Sequence, residues 1–101
     1  MKNLAKFVSE QYISDNRWNE IRSNIETVWL DITNPREAYN SINAWKKDML
    51  LMERGKNEQL VNKIIDEIIK KYNYNKNELD NYYEQIAVYC STLASENLAS
   101  W

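Results

Sequence analysis

Apolar residues recur at steps of three and four positions along almost the whole chain, which is the spacing of one face of an α-helix. No segment alternates strictly between polar and apolar residues, as a half-buried strand would. The chain is therefore predicted to be all-α, folded as a compact single-domain bundle of about five helices. The expected helices cover residues 2–13, 15–32, 35–54, 57–72 and 76–99.

These boundaries rest on residues that start or stop helices. Residues 14–16 (Ser-Asp-Asn) offer three candidate N-caps in a row, so a second helix is expected to begin there. Pro35 follows Asn34 and suits the first position of a helix, which predicts the start of the third helix. Gly55 is placed to end that helix in the left-handed conformation, and Asn57 is placed to cap the next one.

The same spacing predicts which unusual side chains are buried. Three of the four tryptophans and one tyrosine fall on apolar helix faces and are expected in the core: Tyr12, Trp18, Trp29 and Trp45. Cys90 lies on the apolar face of the last helix, with no histidine or cation nearby to stabilise a thiolate. Its thiol is therefore expected to fill core space and to be unreactive.

The composition excludes several classes of function. The 101 residues contain no histidine, one cysteine, one glycine and one proline. Imidazole chemistry, Cys/His zinc sites and glycine-rich phosphate loops are therefore ruled out. Asp80 and Glu84 stand four residues apart and could together hold a divalent cation, but acids near a helix N-terminus are usually solvated. No enzymatic activity, cofactor or metal is expected.

Charge and hydropathy bear on location and origin. The net charge is −2, and the chain has no signal peptide and no apolar run long enough to cross a bilayer. A soluble, cytoplasmic protein that does not bind membranes is expected. Asn, Ile, Lys and Tyr are abundant and have AT-rich codons, which favours a low-GC genome such as that of a phage or mobile element.

The aromatic content is the most informative anomaly. Four tryptophans and seven tyrosines are more than a small bundle easily buries, and these residue types are enriched at binding hot spots. The last quarter of the chain, residues 77–101, carries acids and no lysine or arginine. The sequence predicts a partner-binding surface there, with aromatic anchors and two acids that would attract a basic surface: Tyr74, Tyr82, Tyr89, Trp101, Asp80 and Glu84.

The predicted function is that of a small non-enzymatic protein-binding protein. It would act as a stoichiometric inhibitor, immunity protein or adaptor, such as a phage or mobile-element antagonist of a host factor. It would occlude its partner sterically. If Tyr82 and Tyr89 are exposed anchors, replacing both with alanine would leave thermal stability nearly unchanged.

A nucleic-acid-binding regulator is the first alternative. It would use a lysine-rich face of the third and fourth predicted helices: Lys46, Lys47, Arg54, Lys56, Lys63, Lys70, Lys71 and Lys76. Tyr72 and Tyr74 could stack on bases, and Asn57 and Gln59 begin the helix that would read them. Acids interleaved with these lysines oppose this interpretation.

A homo-oligomeric structural protein, for example a homodimer, is the second alternative. Tyr39 and Leu50 leave the apolar stripe of the third predicted helix on one common side, and Leu51 leaves it on the other. Residues 49–52 are consequently apolar all round. Either neighbouring helices enclose this segment, or one side of it meets another chain.

Overall fold

The fold is built from helices alone throughout the described part of the chain. The computed structural model describes the backbone of residues 2–100 and the side chains of residues 16–100. The helices are α1 (Lys2–Thr33), α2 (Ile42–Glu53), α3 (Glu58–Tyr72), α4 (Lys76–Asn81) and α5 (Tyr83–Ala99). The predicted all-α class and the compact bundle of about five helices are confirmed, while the single-domain assignment stays a prediction. Tyr12 and Trp101 lie outside the described side chains.

Helix α1 corrects the first boundary prediction. The sequence pattern divides this region into helices 2–13 and 15–32, but the backbone runs as one helix over Lys2–Thr33. The three polar residues at 14–16 can cap a helix, yet in a helix interior each costs only a few tenths of a kcal/mol more than alanine. Since neither glycine nor proline stands nearby, nothing in the local sequence stops the helix.

The start of α2 is a second correction. The predicted helix 35–54 begins at Ile42 instead, with extended Ser41 as its N-cap (φ −150°, ψ 155°). The Ser41 Oγ accepts a hydrogen bond from Ala44 N (3.1 Å). Asn34 Oδ1 accepts from Arg36 N (2.9 Å), which closes a turn around Pro35. The capping chemistry of Asn34 thus forms a turn rather than a helix start.

Replacing Ser41 with alanine tests this assignment. We expect the variant to lose about 1 kcal/mol of unfolding free energy, because an amide of the first turn of α2 loses its acceptor. Ser23→Ala is the matched control, since Ser23 is an exposed residue in the interior of α1. Urea unfolding measures both variants. A loss that is no larger for Ser41→Ala than for Ser23→Ala would contradict the capping role.

Helices α2 and α3 end and begin as predicted. Gly55 adopts a positive φ of 69°, and its N–H donates to Met52 O (2.9 Å) while Lys56 N donates to Leu51 O (2.9 Å). This pair of bonds is the glycine-dependent C-terminal motif of helices. Asn57 then caps α3 by accepting from Leu60 N (3.1 Å).

The predicted helix 76–99 is interrupted at Tyr82. Tyr82 has φ −102° and ψ 11°, and its N–H donates to Leu79 O (3.0 Å). This bond joins residues three positions apart, so it closes a tighter turn than the four-residue bond of an α-helix. The helix resumes when Ile86 N donates to Tyr82 O (2.8 Å). Asp80 and Glu84 therefore lie on separate helices, so the face they were expected to share does not form.

The core forms where α2 packs along α5 and α1 packs on α3. Trp29 and Trp45 are buried as predicted, but Trp18 is only partly buried. Cys90 is fully buried, which agrees with the expected core position. The core residues that are completely inaccessible share an apolar character: Ile21, Ile25, Met49, Ile64, Ile68, Leu79, Ile86, Cys90 and Ala94.

The hydroxyl of Ser91 forms a hydrogen bond between α5 and the end of α2. Ser91 Oγ lies 2.7 Å from Met52 O and 2.8 Å from Glu53 O, so it can donate to either carbonyl. The last carbonyls of a helix have no partner within the helix itself. This contact therefore holds α5 against the end of α2.

Candidate partner-binding surface

The outward side of α5 carries a row of exposed residues at four-residue spacing. Glu84, Val88, Thr92 and Glu96 are all exposed, and we call this row the α5 outer face. Val88 is 66% exposed although it is apolar. Two grooves flank the row, and Glu84, Val88 and Thr92 contribute to the walls of both. The α5 outer face is thus a ridge between two depressions.

An aromatic cluster forms the base of one flank. The ring of Trp18 on α1 stacks on Tyr82, with 6.1 Å between centroids and 16° between planes. Tyr89 meets the same indole edge-on, with 6.1 Å between centroids and 85° between planes. Both geometries are favourable for aromatic pairs. The cluster therefore holds its three rings in fixed relative positions at the junction of α1 and α5.

Charged groups of α1 hold the outer edge of this cluster. The Tyr89 hydroxyl donates a hydrogen bond to Glu26 Oε1. Arg22 places its guanidinium carbon 6.0 Å from the Tyr89 ring centre, within the range of a cation–π contact. Desolvation by burial, followed by the hydrogen bond to Glu26, raises the pKa of Tyr89. The phenol therefore stays protonated and remains a donor at neutral pH.

The first groove lies between α1 and α5, and we call it the aromatic groove. Its volume is about 460 Å³, and it is lined by Trp18, Arg22, Glu84, Gln85, Val88, Tyr89 and Thr92. Tyr82 lies behind this lining, against Trp18. The groove combines a tryptophan, a tyrosine and an arginine, the three residue types most enriched at binding hot spots.

The second groove lies between α5 and the connection from α2 to α3. We call it the acidic groove; its volume is about 710 Å³. Ala87, Ser91 and Ser95 line it with small side chains, while Glu53 and Glu96 add carboxylates. It is the larger of the two depressions that flank the α5 outer face.

Tyr74 departs from the predicted surface. It is only 8% exposed, and Asn24 Nδ2 donates to its hydroxyl (2.7 Å), which in turn donates to Glu20 Oε1 (3.1 Å). The Arg17 guanidinium carbon lies 4.9 Å from the Tyr74 ring centre, and Arg17 also pairs with Glu78. These contacts tie α1 to the chain between α3 and α4. Tyr74 is therefore a packing residue and not an exposed anchor.

The other predicted surface residues are placed as follows. Tyr82 and Tyr89 contact Trp18, and Glu84 and Tyr89 line the aromatic groove. Asp80 is exposed on α4 but does not line either groove. The surface was expected to be free of cations, and this expectation is wrong because α1 brings Arg22 to Tyr89.

The residues of the predicted homodimer face do not share one helix. Tyr39 precedes α2 and packs against the core, where burial and then Asp48 raise its pKa. Leu51 is half-buried, whereas Leu50 is 42% exposed. Tyr39 and Leu50 were placed on a common side because one helix was expected from Pro35 onward. Since α2 begins only at Ile42, Tyr39 is not part of this helix and the common side does not form.

The lysine-rich face is exposed, but two of the residues predicted to contact nucleic acid beside it are not free to do so. The cations named for it are exposed on α2, on α3, in the connection between these helices and at the start of α4. Tyr74 is buried and cannot stack on a base, and the side chain of Asn57 is engaged as a helix cap. The Nζ of Lys71 lies 3.9 Å from Asp31 Oδ2 and also lies over the Tyr72 ring. The charge of Lys71 is therefore partly compensated by Asp31.

Three residues of the site are missing from the surface that the sequence predicts. Trp18 was assigned to the core because it lies on the clearest apolar stripe, and Arg22 shares a helix face with it one turn later. Val88 carries a usable signal, because it is apolar yet lies off the stripe of its helix. An apolar residue on a polar helix face is what a docking surface requires.

Other chemistry is limited in the described region. Among the described side chains, no three carboxylates or thiols converge to form a metal site. The described helices include none with an apolar stretch of the length that a bilayer requires. Comparison with protein-family models, curated protein sequences and solved structures finds no match to this chain.

Proposed function

We propose that this protein acts without catalysis, by binding another protein through the α5 outer face and the aromatic groove. The observation that supports this most strongly is the exposed Val88 beside the fixed cluster of Trp18, Tyr82, Tyr89 and Arg22. A binding hot spot combines an apolar contact with tryptophan, tyrosine and arginine in the same way.

The rigidity of the cluster favours tight binding. Ordering a flexible side chain at an interface costs about 0.5–1.5 kcal/mol, and that cost is small where the rings already hold each other in place. Tyr89 is held by Glu26 and by Trp18 before any partner arrives. A partner would therefore meet a preformed surface of helices α1 and α5.

The mode of action is steric occlusion. A bundle of this size would cover the working surface of its partner one-to-one, as an inhibitor, an immunity protein or an adaptor does. Residues with AT-rich codons are abundant in this chain. Their abundance supports the further proposal that the source is a phage or mobile element and that the partner is a host factor. The acids of the α5 outer face, Glu84 and Glu96, favour a partner with a basic surface.

A pair of matched variants tests the binding surface. Val88→Asp places a charge in the middle of the α5 outer face, and we expect it to weaken partner capture at least tenfold because the charge would be desolvated in the complex. Leu30→Asp is the control, because Leu30 is 70% exposed and lies on α1 away from both grooves. Tagged protein captures partners from a host lysate, and mass spectrometry quantifies them.

These variants are better suited than alanine at Tyr82 and Tyr89. Both tyrosines pack against the core and against Trp18, so the earlier expectation of unchanged stability on their removal no longer follows from their environment. Equal capture by Val88→Asp and the unmodified protein would contradict the proposal. Recovery that disappears on nuclease treatment would instead favour the nucleic-acid alternative.

A further inference from the structure

The acidic groove extends along α5 from Tyr83 to Glu96. Tyr83 lines one end of the groove, and small side chains follow it along α5 at four-residue spacing: Ala87, Ser91 and Ser95. Small residues let a second helix approach closely, toward the lower end of the usual 8–10 Å between helix axes. Val88 forms an apolar edge along the groove. The distance along α5 from Glu84 to Glu96 is about 18 Å, or just over three helical turns.

The charges of the groove are of one sign. Glu84 and Glu96 lie toward the two ends of this stretch of α5, and Glu53 faces them from the end of α2. No lysine or arginine lines the groove, and none of these three carboxylates forms an ion pair with a described residue. The neighbouring Arg54 and Lys56 are exposed but are not part of the lining. Such a rim attracts cations and repels phosphate groups.

We infer that the acidic groove binds a basic amphipathic helix of the protein partner, at least twelve residues long. This inference rests on the proposed function, because it specifies which part of a protein partner the outer side of α5 receives. Apolar residues at positions i, i+4 and i+7 of that helix would contact Ala87 and Val88. Lysine or arginine side chains at its margins would reach the carboxylates of Glu53, Glu84 and Glu96.

A helix fits this groove better than an extended peptide. An extended peptide usually gains affinity by adding a strand to the edge of a sheet, and the described chain contains no strand. A helix satisfies its own backbone hydrogen bonds and needs only side-chain contacts from the groove. Most of the lining consists of α5 side chains, and the remainder, Glu53 and Gly55, comes from the end of α2.

A library of random 16-residue peptides displayed on phage tests the inference. We expect selection on the intact protein to enrich peptides with apolar residues at helical spacing and a net positive charge. The strongest of these is synthesised with a fluorescent label, and its affinity is measured by anisotropy. Replacing Glu53, Glu84 and Glu96 together with glutamine is expected to weaken its binding at least tenfold.

The matched control removes the same number of charges elsewhere. Glu37→Gln, Asp66→Asn and Asp80→Asn combined alter three exposed acids outside the groove, and we expect peptide binding to change less than twofold. Thermal melting checks that both triple variants are folded. Because the net charge is the same in the two variants, long-range attraction alone would weaken both equally.

Three outcomes would overturn the inference. Equal weakening by the two triple variants would show that the groove is not where the peptide binds. If the selected peptides are acidic or extended, and Val88→Asp abolishes their binding, the basic helix is refuted while the protein-binding proposal stands. No enrichment above the phage background would refute the basic helix as well, while lysate capture with Val88→Asp and Leu30→Asp decides the proposed function separately.

Discussion

Replacing Trp45 with alanine is expected to lower the free energy of unfolding by about 3–5 kcal/mol. The side chain is 1% exposed, and its Nε1–H donates to Thr33 O (2.7 Å). That carbonyl belongs to the last residue of α1, so the indole joins the end of α1 to α2. Since domains of this size have total stabilities of about 5–15 kcal/mol, the variant should be severely destabilised. Urea unfolding measures the loss.

Phenylalanine variants separate the hydrogen bond from the packing. Trp45→Phe removes the donor and keeps most of the apolar ring, whereas Trp29→Phe removes an indole N–H that has no acceptor among the described residues. Both variants lose the same volume from buried positions. We expect Trp45→Phe to be about 1–2 kcal/mol less stable than Trp29→Phe. Equal losses would contradict a stabilising role for the bond to Thr33.

The protein is expected to lose stability steeply above about pH 9. Burial raises the pKa of Cys90 to about 12, from a reference of 9.0. In the unfolded chain the thiol loses its proton near pH 9, but in the folded chain it keeps the proton until about pH 12. Deprotonation therefore favours the unfolded state between these values, and the stability present below pH 9 is lost as the pH rises. The thiol contributes about 2 kcal/mol of this loss by pH 10.5.

Unfolding measured in urea at pH 8, 9, 10 and 10.5 checks this expectation, and Cys90→Ala is the control. The alanine variant has no thiol to titrate, so its stability should fall less steeply over the same range. Burial raises the pKa of Tyr39 and Tyr89 as well, which leaves a residual slope of the same sign in the variant. Identical slopes for the two proteins would contradict the assignment to Cys90.

Local sequence determined the helical class and several boundaries. The spacing of apolar residues predicts α3 within one residue of Glu58–Tyr72. Asn57 caps the start of α3 and Gly55 ends α2, in both cases by hydrogen bonds to residues a few positions away. The burial of Trp29, Trp45 and Cys90 follows from the same spacing. These features depend on backbone geometry and on neighbours one turn away, which a sequence pattern records directly.

Two of the failed boundaries depended on choosing between two uses of the same residue. Asn34 can cap a helix or close a turn, and the chain uses it for a turn, so that Ser41 becomes the cap. The residues at 14–16 can start a helix or lie inside one, and α1 continues through them. The energy differences between such choices are about 1 kcal/mol or less, so contacts elsewhere in the fold decide them.

The candidate site required the tertiary structure. The sequence by itself determined an all-α bundle with a surplus of aromatic residues, and it pointed to Tyr82, Glu84 and Tyr89. Only the tertiary structure decided that Trp18 and Arg22 join them, through ring and cation contacts with Tyr82 and Tyr89. It also decided that Tyr74 is buried and that Val88 stands between two grooves. Residues more than sixty positions apart meet there, and the periodicity of a single helix carries no information about which face of another helix it will contact.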